Sequence, residues 1–101
     1  MGTREELNSL LVDMFGSGHV YFQPPAGFKM VYPAIKYSIN RRESDYASDK
    51  KYINTTSYEI TVIDKKIDNP VINKILELPY SAFNRHYVSD NLHHDVITLY
   101  F

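Results

Sequence analysis

His93 and His94 stand between Asp90 and Asp95, a grouping whose side chains could ligate a metal ion. In a strand, successive side chains point to opposite faces, so two adjacent histidines do not converge on one ion without a bulge. No further ligand spacing accompanies them, and they read as hairpin histidines, one of them half buried. The run Asp64-Lys-Lys-Ile-Asp-Asn69 has acids in common with a calcium loop, but its central glycine and distal bidentate glutamate are missing; it reads as a strand-to-helix turn. Serine, histidine and aspartate all occur, yet there is no Gly-x-Ser-x-Gly elbow. Gly16-Ser17-Gly18 lacks the lysine of a phosphate loop and reads as a cap and turn. The expectation is a chain with no catalytic residue, metal or other cofactor. A small enzyme such as a nuclease or deaminase is disfavoured, because no constellation of ligands or carboxylates survives inspection.

The segment that invites a functional assignment is the charged stretch from Asn40 to Lys51, with no apolar face to hold it down. Fixing a residue's backbone costs roughly 1–2 kcal/mol, so ordering about twelve such residues without docking contacts costs on the order of 12–24 kcal/mol. Either it is a solvated loop, or it orders against a partner. The second reading makes Arg41, Arg42, Glu43, Asp45, Tyr46, Asp49, Lys50 and Lys51 an assembly loop between subunits. In it Arg41, Arg42, Lys50 and Lys51 meet carboxylates and Tyr46 anchors. Specific nucleic-acid recognition is not expected, since Glu43, Asp45 and Asp49 lie among the four bases and weaken the local field.

Composition narrows the classes further. The chain of 101 residues is one domain, 1–101, long enough to bury a core without staples. Cysteine is absent, so disulfide and thiol chemistry are excluded and the composition agrees with a reducing cytoplasm. Eleven basic and twelve acidic residues give a formal charge of -1, leaving no overall field for nucleic acid or an anionic membrane. No run of about 18 apolar residues occurs, and the N-terminus resembles neither a signal peptide nor a myristoylation site, so no membrane association is expected. Nine tyrosines and five phenylalanines exceed what a small core needs, and tyrosine suits interfaces as well as strand faces.

The elements that must position these groups can be read in order. Thr3-Arg-Glu-Glu6 fits a capping box, followed by Leu7, Leu10, Leu11 and Met14 at helical spacing and Gly16 at the C-terminal cap. Val20 to Gln23 is a brief edge strand ended by Pro24 and Pro25. Phe28 to Ile39 reads as the first long strand, with Pro33 disturbing it, and Tyr52 to Asp64 as the second. Asn69 and Pro70 start a short helix carrying Val71, Ile72, Ile75, Leu76 and Leu78, stopped by Pro79. Ala82 to Val88 and Leu92 to Phe101 form a hairpin, and the last strand should be paired on at least one side or extended by a neighbouring subunit. The fold class is therefore α/β of the α+β type: two short helices on an antiparallel or mixed sheet of about five strands, in the order αβββαββ.

The words SYEITVIDKKIDNPVINKILELP and FNRHYVSDNLHHDVITLYF, with FKMVYPAIKYSIN upstream, give residues 29 to 101 a resemblance to small neck and tail proteins of tailed bacteriophages, the tail-terminator or tail-completion group. The resemblance implies a structural virion protein, made in the bacterial host cytoplasm and located in the neck or tail of the virion. It further implies a homo-oligomer, a ring that is typically hexameric, whose partners are the tail tube protein and the head–tail connector protein. Alternatives are another head–tail joining or minor capsid protein, or a monomeric host-interaction module.

Overall fold

A computed structural model describes residues 3–16, 18–44, 54–67 and 69–101. Two helices lie on one face of a five-stranded mixed sheet, and the elements follow the order αβββαββ. Helix α1 spans Arg4–Phe15 and starts where its capping box dictates: the Glu6 amide donates to Thr3 Oγ1 at 3.2 Å, and the Thr3 amide to Glu6 Oε1 at 2.9 Å. It ends at Gly16, whose φ of 73° lets its amide close on the Val12 carbonyl. Helix α2, Pro70–Leu76, is capped by the Asn69 side chain, which accepts from the Val71 amide at 3.0 Å.

The strands are β1, Val20–Phe22; β2, Ala34–Ser44; β3, Asn54–Asp64; β4, Ser81–Ser89; and β5, Leu92–Tyr100. Their spatial order is β1-β2-β3-β5-β4, with β1 parallel to β2 and every other pair antiparallel. The register lines up rows across the sheet. Tyr37, Ile60, Ile97 and Phe83 make one row, and Ile35, Val62, Asp95 and His86 the next. The first three of each row face the helices, and Leu7 and Leu11 of α1 and Val71 and Ile75 of α2 close over the apolar ones. Tyr37 is buried, packs at a tilt against Phe22 and Tyr58 with ring centres 5.0 and 6.1 Å away, and donates its hydroxyl to Asn8 Oδ1 at 2.7 Å.

The first long strand departs most from the sequence reading, the other described strand ends by only a residue or so. The first long strand begins at Ala34, not Phe28, directly after the proline that cannot donate to a ladder. It continues past Ile39 to Ser44, so Asn40 to Ser44 are not loop: Arg41, Arg42, Glu43 and Ser44 pair with Ser57, Thr56, Thr55 and Asn54 across a register shift after Ile39. The last strand, expected to be paired on at least one side, is paired on both, between β3 and β4. The edge strands are therefore β1 and β4. Among the described residues no helix is long and apolar enough to cross a membrane.

Candidate functional site

The outer end of the β2–β3 pair is the first feature that stands apart. Strand β5 follows β3 only as far as Ser57, and β1 follows β2 only from Ile35 to Tyr37. Beyond those points the paired residues 41–44 and 54–56 form a two-stranded arm, steadied at its base by the Phe101 amide on the Thr56 carbonyl at 3.1 Å. The molecule is elongated, with extents of 47 × 28 × 24 Å. Of the sequence-predicted assembly residues, Arg41, Arg42 and Glu43 belong to the backbone of this arm. Asp45, Tyr46, Asp49, Lys50 and Lys51 lie outside the described residues.

The second feature is β4. Eight of its nine residues are exposed, and only β5 pairs with it. Phe83 is 49 % and Val88 58 % exposed, and Tyr80, just before the strand, is 80 % exposed. Isolated apolar side chains on a surface mean little, but a row of them along an unpaired backbone edge is a template for association. Behind Phe83 a groove of about 600 Å3 opens between β4 and α2, with Ile67, Ile72 and Leu76 on its apolar side and Asn69, Asn73, His86 and Asp95 as its polar groups.

The two hairpin histidines separate as alternation requires. His94 stacks on Tyr87 with ring centres 4.6 Å apart, and Arg85 lies 5.7 Å over the same tyrosine. His93 is on the other face, where its Nδ1 stands 3.3 Å from Nε2 of His86. His86 Nδ1 in turn is 2.7 Å from Asp95 Oδ1, so Asp95, His86 and His93 form one chain of contacts. Both hairpin histidines are half-buried and Asp95 is buried. A carboxylate in a row of core residues is costly to leave unpaired, and His86 supplies its partner.

His86 is the participant that the sequence reading missed. The signal was present in the turn: Asp90 and Asn91 both have positive φ, 53° and 62°, as a two-residue hairpin turn demands. Counting outward from that turn sets Ser89 against Leu92 and His86 against Asp95. Asp64, read as part of a turn and not of a calcium site, accepts from the Lys66 amide at 3.1 Å and from Asn69 Nδ2 at 2.7 Å. Asp68 of the same run and Ser17 of the glycine pair lie outside the described residues. Comparison of the chain with protein-family models, with curated proteins and with solved structures gave no match.

Proposed function

We propose that the chain is a structural virion subunit of the tail-terminator type, which assembles as a ring, expected to be hexameric, caps the tail tube and joins it to the head connector. The observation that carries the assembly part of this reading is the two-stranded arm. An isolated two-stranded ribbon is marginal in water, and residues 41–44 and 54–56 have no third strand beside them among the described residues. A neighbouring subunit is the natural source of the missing contacts. The exposed β4 edge offers a second, different surface, and a ring needs two unlike surfaces on every subunit because head-to-tail contacts are heterologous. The phage part rests on the resemblance of residues 29 to 101.

Light scattering of the purified protein over a range of concentrations, with negative-stain images of any large species, tests the reading. Closed rings of about six subunits, alone or on tube ends, support it. A monomer at every concentration, with and without tail tube protein, overturns it. Deleting Arg42 to Lys50 should abolish ring formation while the circular dichroism of the subunit survives; unchanged assembly would remove the arm from the interface.

A further inference from the structure

We propose that His86 and His93 form a two-histidine site for a divalent ion of the zinc class, with Asp95 fixing the nitrogen that His86 presents. The inference is independent of the assembly reading.

The geometry carries it in three steps. First, the ring nitrogens that face each other, Nε2 of His86 and Nδ1 of His93, are 3.3 Å apart. Two nitrogens at about 2.0–2.1 Å from a tetrahedral zinc ion stand roughly 3.3–3.4 Å apart, so the spacing already suits two ligands of one ion. Second, Asp95 Oδ1 holds Nδ1 of His86 at 2.7 Å. A carboxylate behind a ligating histidine is the usual way to fix the tautomer, turn the ring and raise the basicity of the far nitrogen. Asp95 is itself buried on β5, which makes it a rigid support. Third, His86 is exposed, lining the open groove beside α2 with Asp95, and His93 is only half-buried, so neither ring is closed off from further ligands.

Proton positions are consistent with this exchange. Neutral His86 donates from Nδ1 to Asp95 and keeps a lone pair on Nε2. Without an ion, His93 donates from Nδ1 into that lone pair. With an ion, His93 carries its proton on Nε2 and offers Nδ1, so the ion takes the place of one shared proton and the proton stays on the same ring. Imidazole nitrogens suit zinc, copper and nickel, not calcium or magnesium. Among the described residues no group of three His, Cys, Asp or Glu converges on one point. This chain thus supplies two ligands, and water or donors from another molecule complete the shell.

The test is calorimetric titration of Zn2+ into the untagged full chain after chelator treatment. One saturable site is expected. H86A and H93A should each weaken it at least tenfold, and D95N by about 10–100-fold. H94A, on the opposite face of the hairpin, should bind as the parent does. Absence of saturable binding up to millimolar zinc, or parent-like affinity in both H86A and H93A, overturns the proposal. Nitrogen-15 spectra of the histidine rings in the unmodified protein need no variant to fold: signals of His86 and His93 should move with zinc and those of His94 stay. Movement of His94 alone also overturns it.

Discussion

The two edges of the sheet are built on opposite plans. Strand β1 is three residues long and half-buried, and Pro24 and Pro25 follow one residue beyond it. Its neighbourhood is tied down: Gln23 donates its amide to the Tyr37 carbonyl and accepts from the Ile39 amide through its side chain, and the Arg4 guanidinium lies 4.6 Å over the Phe22 ring. Strand β4 is nine residues long and exposed on both faces, with a register shift between Phe83 and Arg85 as the one interruption of its pairing with β5. Short strands, prolines and covering contacts are how proteins blunt an edge, and here they are concentrated on one side. The difference teaches that the β1 edge is covered by its own chain, whereas the β4 edge keeps its pairing capacity exposed, which makes it the edge on which the proposed assembly is best tested.

A charge on the β4 edge should act on association and not on folding. Phe83→Asp combined with Val88→Asp is expected to remove assembly altogether in the scattering measurement, with less than about 1 kcal/mol change in urea stability, because both side chains are about half in water already. Substituting the closed edge should do the reverse. Phe22→Ala strips Tyr37 and Arg4 of a ring and should cost about 2–3 kcal/mol of unfolding free energy, somewhat below the loss for a fully buried phenylalanine, with assembly retained at temperatures where the subunit is folded. A result in which both variants lower stability equally would erase the distinction.

A smaller effect sharpens the boundary between core and edge. His86→Ala removes the histidine that pairs with the Asp95 carboxylate and should cost about 1–3 kcal/mol. Adding Asp95→Ala should then cost less than the two single losses combined, a coupling readable in a double-mutant cycle. The smallest effect belongs to the closed side and is read through pH. Burial pushes the Tyr37 phenol above the ordinary tyrosine value of 10.0, against the opposing hydrogen bond and charge of Arg4. A raised value means that the folded state holds the proton more tightly. Stability from this group is therefore whole below pH 10.0 and falls as pH rises from there through the folded value. Tyr37→Phe should flatten this alkaline decline in a urea series, and an unchanged slope would assign the decline elsewhere.

How much of this was legible beforehand depends on whether the signal was local. The capping box at Thr3, the left-handed Gly16, the Asn69-Pro70 helix start and the Asp90-Asn91 turn are short-range rules, and each stands where its residues put it. The arm escapes a pattern-based reading because residues 41–44 carry no apolar alternation in the sequence, and a charged strand looks like a charged loop. Phe28 to Val31 had the residue types of a strand, but Pro33 separates them from the ladder that starts at Ala34. The Asp95–His86 pair needed a register, not a pattern. Adjacent histidines drew attention to each other, while the true partner sat across a turn, where only the turn type fixes which residues meet.

That turn also sets the length of chain that must close to bring these groups together. His86, His93 and Asp95 belong to a single hairpin closed by two residues, so they come within reach in the time a hairpin takes to zip, about 1–10 μs. The β3–β5 pairing that completes the sheet must instead close a chain that runs through α2, as in Ser57 against Tyr100. The contacts among the three polar groups therefore cost less loop-closure entropy than the β3–β5 contacts that bury the core beneath them.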